Sequence, residues 1–323
     1  MMSPENCNTV MSWKEADIVQ NNMDSEETRV DLEEATKTKH QTRKHCIWIQ
    51  CELCQTCFHV KCLNMLLSKD QPRRIILNNP KKRNALSLPM LESLRENILI
   101  DLDTEDLRVI IISGQGPVFS SGHDLKELTS TQGPDYHSKV FQTCSEVMTL
   151  IQDIPVPVIA MVNGVATAAG CQLVASCDIA IATDKSTFAT PGVNVGLFCS
   201  TPGVALGRAV PRKVAMEMLF TGRPISAQDA LLHGLVSKVV REEQLEEETL
   251  AVARRVCESS RPVVALGKAM FHRQMSQSRD AAYASACGAM LENLELRDGQ
   301  EGIRAFLEKR RPVWSNSPEK IHT

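Results

Sequence analysis

The sequence is poor in aromatic residues. Phe, Trp and Tyr together make up 4% of the 323 residues, although residues of apolar type make up 43%. The predicted interior is therefore aliphatic, which suits tightly packed helices and buried strands better than an aromatic-rich recognition surface. A chain of this length can bury a large core, arranged as one big domain or two modest ones.

An excess of charge of either sign is also missing. The formal net charge is −3 and the sequence pI is near 6.3. Nucleic-acid-binding proteins use a global basic field, which this composition does not supply. The sequence thus predicts no nucleic-acid partner, and any anionic ligand must be held by a local group of side chains.

No long hydrophobic run and no targeting signal is recognisable. No stretch of about 18 apolar residues occurs, so no membrane span is expected. The first residues lack a basic and an apolar segment, and acidic residues such as Glu5, Glu15 and Asp17 are wrong for a mitochondrial transit peptide. The N-terminus by itself therefore leaves a cytoplasmic location open.

The 12 cysteines do not form an even disulfide pattern, which favours a reducing compartment. Five of them crowd residues 46–62, where Cys51, Cys54, His59 and Cys62 resemble the middle of a PHD-type zinc finger. A complete finger needs more ligand pairs, but only one cysteine lies upstream within reach and the next one downstream is Cys144. We predict no metal site here and a disordered leader over residues 1–70; a single tetrahedral zinc on the four residues is the chemically allowed alternative.

From Arg73 onwards, apolar strands alternate with helical patterns. Strands are predicted at 73–79, 107–114, 156–164 and 177–183, and helices at 138–152, 168–176 and after Ser87, a plausible N-cap. This alternation favours a parallel or mostly parallel sheet covered by helices. Beyond about residue 200 only 236–240 is strand-like, so the C-terminal third is predicted to be helical.

Two small-residue segments each follow a predicted strand and precede a predicted helix. The first is GPVFSSGHDLKEL at 116–128, and the second is NGVATAAGCQLVASCD at 163–178. Exposed amides at a helix start form an anion or oxyanion site. Taken alone, the first segment is interpreted as a generic loop, and the second is equally compatible with a helix that packs tightly on a sheet.

Together with five further motifs, these segments resemble the crotonase (enoyl-CoA hydratase/isomerase) superfamily over residues 73–316. The other motifs are NPKKRNALS, VPVIAMVNG, FATPGVNVGL, AMEMLFTGRPISAQDALLHGLVSKVV and FLEKRRPVW. The resemblance implies an α/β spiral of ββα units with two roughly perpendicular sheets, a core at 71–262 and a C-terminal helical region at 263–323 that forms a homotrimer or hexamer. It also implies mitochondrial location, lipid metabolism, an acyl-CoA ligand and no separate cofactor.

In this superfamily two backbone amides form an oxyanion hole, and the motifs place them on His123 and Ala169. Such amides polarise the thioester carbonyl and stabilise an enolate, and one donor of this kind is worth about 10²–10³ in rate. Because the donors are backbone groups, a change of side chain at these positions need not abolish them.

The two glutamates of a hydratase are absent. The motifs place Gln172 and Gly192 at the positions of the carboxylates that activate water and protonate Cα. Each such role is worth about 10²–10⁴ in rate, so little or no hydratase activity is expected. The alternative is an active hydratase, isomerase or hydrolase that uses a non-standard acid or base. If the hole is intact, Gln172→Glu combined with Gly192→Glu is expected to raise hydration.

Four other side chains are candidate catalytic groups. The His123 imidazole is a candidate acid or base; the alternative is that it points to solvent and only its amide matters. Asp124 is expected to cap the following helix, Asp178 to hold a turn, and Cys199 to be a buried, unreactive thiol.

Basic side chains are the candidates for binding the phosphates of CoA. The resemblance implies Lys81, Lys82, Arg83, Lys126 and Lys309, the last beside Arg310 and Arg311. A solvated basic loop is the alternative for any one of them.

Overall fold

The computed structural model of the protein describes residues 46–48 and 72–321. Within these ranges there are ten strands: β1 Cys46–Trp48, β2 Arg73–Leu77, β3 Ile110–Gly114, β4 Val118–Ser120, β5 Val158–Val162, β6 Val165–Thr167, β7 Ile179–Thr183, β8 Thr187–Ala189, β9 Ile225–Ser226 and β10 Lys238–Val240. The candidate zinc ligands Cys51, Cys54, His59 and Cys62 lie outside the described residues.

The larger sheet is parallel throughout and has the strand order β1-β2-β3-β5-β7-β10. Its central strands are continuous apolar runs buried on both faces, as expected for a parallel sheet between helices. At its edge, β1 pairs in parallel with β2. Three residues of the segment predicted to be a disordered leader therefore form a strand.

The smaller sheet has the order β4-β6-β8-β9, with only β9 antiparallel. Its strands β4, β6 and β8 each start within four residues of the end of a long strand, which gives the repeated ββα unit. The residue pattern alone favours a generic loop in the segment 116–128, but Val118–Ser120 form β4. Three residues are too few for an alternating pattern to be recognised in the sequence.

The described part of the chain also contains ten α-helices: α1 Leu88–Leu99, α2 Pro134–Asp153, α3 Ala169–Ser176, α4 Ser200–Ala209, α5 Arg212–Thr221, α6 Ala227–Leu232, α7 Leu245–Cys257, α8 Arg261–Gln274, α9 Arg279–Glu295 and α10 Arg297–Leu307. Ser87 caps α1 as predicted, since its side chain accepts a hydrogen bond from the amide of Met90. Helix α8 begins at Arg261, so the predicted boundary between core and helical region falls in its first turn.

The main core lies between the larger sheet and helices α1 to α3 and is mostly aliphatic, as predicted. A second apolar cluster on the other face of the sheet packs against α7. Helices α8 to α10 bury few side chains and leave large apolar ones exposed, among them Phe271, Met275, Tyr283, Met290, Leu291, Phe306 and Leu307. None of the described helices is long and apolar enough to cross a membrane.

Candidate functional site

The first candidate amide belongs to His123, in the loop after β4. The amide of Leu86 donates to the carbonyl of Gly122 at 2.7 Å, and the amide of Ser121 donates to the carbonyl of Arg83 at 3.0 Å. No described peptide bond is cis, so the His123 N–H points to the opposite side from the Gly122 carbonyl. No acceptor in residues 72–321 pairs with this N–H.

The second candidate amide belongs to Ala169, the first residue of α3. Its neighbour Ala168 has φ 49° and ψ −119°, a conformation that is strained for a residue with a side chain. Two hydrogen bonds hold it there: its amide donates to Ala189 and its carbonyl accepts from Gln172, both at 2.9 Å. The first amides of a helix have no partner within the helix, so the Ala169 N–H is available to a ligand.

The residues next to the two candidate amides pack closely against each other. A Cβ atom added to Gly122 would lie 2.9 Å from the Cβ of Ala168 and 3.1 Å from the nitrogen of Ala169. Gly122 also has φ +84°, which disfavours any other residue. The loop that carries His123 therefore touches the start of α3, as an oxyanion hole requires.

Position 172 carries an amide that cannot act as a base. Gln172 lies in the first turn of α3 and is buried. The Sγ atom of Cys144, on α2, lies 4.0 Å from its Oε1 atom. An amide can orient a water molecule or a ligand by hydrogen bonding, but it has no usable basicity near neutral pH.

Position 192 has no room for a side chain in this structure. A Cβ added to Gly192 would lie 2.8 Å from both the Sγ atom of Cys199 and the carbonyl oxygen of Leu197. The amide of Gly192 donates to that Sγ at 3.3 Å. A side chain at position 192 therefore requires residues 197–199 to move, and the expectation that Gly192→Glu helps to restore hydration stays a prediction.

The imidazole of His123 does not point to solvent, contrary to the second interpretation of this side chain. Its Nδ1 atom lies 3.2 Å from the carbonyl oxygen of Leu86, and its ring meets Phe141 edge-on with centroids 5.4 Å apart. Burial lowers the pKa of His123, against the opposing effect of the Leu86 hydrogen bond. A neutral ring that donates from Nδ1 leaves Nε2 as an acceptor, and Nε2 is buried with no partner in the described residues.

The three remaining catalytic candidates have structural partners. Asp124 caps the following 3-10 helix through the amide of Lys126, as predicted. Asp178 accepts from the amide of Val158 at 2.8 Å and from the Nζ atom of Lys268 at 2.7 Å, which supports its predicted structural role. Cys199 is buried, and burial raises the pKa of its thiol.

The predicted phosphate-binding cations differ in their surroundings. Lys81, Lys82 and Arg83 are exposed in the turn after β2, and Lys82 pairs with Asp124 at 3.2 Å. Lys309 lies just after α10, near the other end of the described chain. No described contact joins it to this turn, so the role of Lys309 in binding phosphate stays a prediction.

A cavity on the other side of α3 does not coincide with this site. It has a volume of about 940 Å³ and lies between α8 and the C-terminal end of α3, lined by Asp178, Lys268, Phe271 and His272 among others. The candidate amides are at the opposite, N-terminal end of α3. We assign the candidate site to the amides, because the His123 N–H has no acceptor in residues 72–321 and the Ala169 N–H is a first amide of its helix.

Sequence reasoning missed the residues that hold the loop of His123. Ser120 and Asn84 are fully buried and hydrogen-bonded to each other, although 36 positions apart. The only available signal was their presence within the motifs FSSGHDLKEL and NPKKRNALS, which does not reveal a contact.

Comparison with known proteins agrees with this geometry. The sequence pattern of the enoyl-CoA hydratase/isomerase family matches residues 73–317. The chain belongs to this family.

Several relatives in the family are highly similar to the chain. The zebrafish protein named enoyl-CoA hydratase domain-containing protein 3, mitochondrial, is 76% identical over 250 residues, which cover 77% of this chain and 86% of the relative. The human protein of the same name is 71% identical over 249 residues, covering 77% and 82%. The orangutan protein named enoyl-CoA hydratase, mitochondrial, is 35% identical over 246 residues, covering 73% and 81%.

Solved structures agree on the crotonase fold. The crystal structure of human enoyl-CoA hydratase domain-containing protein 3 matches with a TM-score of 0.75 and 71% identity, and covers 76% of this chain and 97% of that one. An enoyl-CoA hydratase of Mycobacterium smegmatis matches with a TM-score of 0.73 and 47% identity, covering 75% and 95%.

Proposed function

We propose that the chain binds acyl-CoA thioesters, polarises their carbonyl group, and has little or no enoyl-CoA hydratase activity. The observation that supports the first part is the close packing of Gly122, the residue before His123, against Ala168 and Ala169. Gln172 and Gly192 at the positions of the two glutamates support the second part, because neither can exchange a proton at neutral pH.

The ligand is held at two ends in this proposal. The His123 and Ala169 amides hold the thioester oxygen, and the turn that carries Lys81, Lys82 and Arg83 contributes positive charge for the phosphates. Lys126 and Lys309 are proposed to assist. No separate cofactor is required, since CoA is part of the ligand.

We also propose a homotrimer or a dimer of trimers, and a mitochondrial role in fatty acid metabolism. Large apolar side chains exposed on α8 to α10 support the assembly, because patches of this kind on soluble proteins mark interaction sites. The location rests on relatives whose names include the word mitochondrial.

A second candidate function is an active enzyme that uses His123 as its acid or base. The observation in its favour is the buried Nε2 atom of His123, which has no partner in the described residues and belongs to the residue that carries the first candidate amide. Burial lowers the pKa of this imidazole, which favours the neutral form that a base requires. A base of this kind takes a proton from Cα of the acyl group while the two amides hold the resulting enolate oxygen.

Two measurements on the full chain test these functions. Calorimetric titration with butyryl-CoA and crotonyl-CoA measures binding, and turnover assays with enoyl-, dienoyl- and 3-hydroxyacyl-CoA measure activity. Binding without turnover of any substrate supports the first proposal. Turnover that His123→Ala abolishes, with binding retained through the backbone amide, supports the second. Absence of binding contradicts both.

A further inference from the structure

Ser120, the last residue of β4, is hydrogen-bonded to the loop that carries the first amide. It is fully buried, and its hydroxyl donates to the carbonyl oxygen of Asn84 at 2.9 Å. The same hydroxyl oxygen lies 3.3 Å from the amide nitrogen of Gly122, which donates to it. One side chain thus fixes the residue before His123 to the turn that follows β2.

Ser120 also touches the helix that carries the second amide. A Cβ atom added to Gly170 would lie 2.4 Å from the carbonyl oxygen of Ser120 and 2.8 Å from its Cβ. Gly170 directly follows Ala169. The start of α3 therefore rests on the backbone of Ser120, with no side chain between them.

The partner of Ser120 is itself held firmly. Asn84 is fully buried with φ 52°, and its Nδ2 atom donates to the carbonyls of Gln115 at 3.0 Å and Val118 at 2.7 Å. Its Oδ1 atom accepts from the amide of Asn79 at 2.8 Å. The turn that carries the proposed phosphate-binding cations is therefore hydrogen-bonded to both ends of the segment that connects β3 with β4.

We propose that Ser120 is a positioning residue that sets the separation of the His123 and Ala169 amides. Ser120 contacts both halves of the site, through its hydroxyl on one side and its backbone on the other. Two donors stabilise one oxygen only if both lie about 2.7–3.1 Å from it, and a misplacement of about 1 Å can cost up to 10²-fold. This inference rests on the proposed binding of acyl-CoA.

The test compares a thioester with a thioether that lacks the carbonyl oxygen. The dissociation constants of butyryl-CoA and S-butyl-CoA are measured for the full chain and for Ser120→Ala. The preference for the thioester is the dissociation constant of S-butyl-CoA divided by that of butyryl-CoA. We expect this ratio to fall about five- to tenfold in the variant, which corresponds to the loss of roughly one net hydrogen bond. The affinity for S-butyl-CoA should stay the same, because it does not use the amides.

Infrared spectroscopy of butyryl-CoA labelled with ¹³C at the carbonyl gives an independent measure of polarisation. Hydrogen bonds from the amides lower the carbonyl stretching frequency of the bound ligand, and Ser120→Ala should reduce that downshift. Ser120→Cys, which retains a weaker donor and acceptor, should give an intermediate downshift and serves if the alanine variant does not fold.

Ser186→Ala is the matched control. Ser186 is also buried, and its hydroxyl bonds to the carbonyl of Val162 and to Thr183, away from both amides. An equal loss of thioester preference in this control overturns the proposal, as does a full downshift in both Ser120 variants. If the unaltered chain does not bind butyryl-CoA, the proposed function fails and this inference fails with it.

Discussion

At the residue scale, the side chain of Gln172 explains why the proposed site binds a thioester without hydrating it. Gln172→Glu returns one carboxylate to the first turn of α3, where the amide is now buried. We expect crotonyl-CoA hydration to rise by about 10²-fold or more, the lower end of what one acid or base contributes. Initial rates of the loss of enoyl absorbance measure it.

The control for this prediction is Gln172→Leu, which has a similar volume and no carboxylate. It should bind crotonyl-CoA and show no gain. An unchanged rate in Gln172→Glu, with crotonyl-CoA still bound, would count against an intact oxyanion hole.

Gly192 lies where an added side chain would clash with the backbone of residues 197–199. Gly192→Ala should destabilise the fold by about 1–3 kcal/mol, since the added carbon lies 2.8 Å from the carbonyl of Leu197. Urea unfolding measures the change. The control is Gly207→Ala in α4. A Cβ added there meets no atom within 4 Å, so this substitution should be neutral or should stabilise the fold by up to about 1 kcal/mol. Equal stabilities of the two variants would contradict the steric account.

At the element scale, Asp298 fastens the last described segment of chain to two helices. It lies in the first turn of α10 and is buried. Its carboxylate accepts from the hydroxyl of Ser260, just before α8, at 2.7 Å, and from the amides of Ser315 and Asn316 at 2.7 and 3.0 Å. Although burial raises its pKa, these hydrogen bonds lower the pKa of Asp298 below the ordinary value of 3.8.

Because the folded-state pKa of Asp298 is depressed, its carboxylate stabilises the fold above about pH 3.8. That contribution is lost as the pH falls through the folded-state pKa. Asp298→Asn should cost about 1.5–3 kcal/mol at pH 7 and should weaken the acid-induced loss of stability. Unfolding free energies between pH 3 and pH 7 measure both effects; parallel curves for the variant and the unaltered chain would contradict the assignment.

The long elements were predictable from the sequence, whereas the short ones that build the site were not. The strands around Ile110–Gly114 and Val158–Val162 are apolar runs bounded by turn residues, and Ser87 is a side-chain cap that depends on local sequence. By contrast, β4, β6 and β8 are three-residue strands formed by contacts with distant segments.

The site was predictable only in part, for the same reason. Family motifs predicted His123 and Ala169, and the geometry places their loops in contact. The roles of Ser120 and Asn84, and the lack of space at Gly192, depend on atoms far away in the sequence or on a backbone path. Neither composition nor periodicity contains that information.

At the scale of the whole molecule, residues 46–48 and 72–321 leave large apolar side chains of the C-terminal helices exposed. Phe306 and Leu307 are 82% and 73% exposed at the end of α10. We expect Phe306→Asp to dissociate the proposed trimer, because a carboxylate buried in an apolar interface carries a large desolvation cost. Light scattering coupled to size-exclusion chromatography measures the mass.

The control for this prediction is Ser276→Asp, which adds the same charge at an exposed polar position between α8 and α9. It should leave the trimer intact. A monomeric mass for the unaltered chain at micromolar concentration would contradict the assembly, and an intact trimer in Phe306→Asp would place the interface elsewhere.

The central claim is a site that binds an acyl-CoA thioester and polarises it without the carboxylates that hydrate it. It is tested most directly by measuring crotonyl-CoA binding and hydration on the same sample at neutral pH. We predict saturable binding, a lowered carbonyl stretching frequency, and hydration about 10⁴-fold or more below that of a hydratase that has both glutamates. Hydration at an ordinary hydratase rate, or no binding of crotonyl-CoA, would contradict the account.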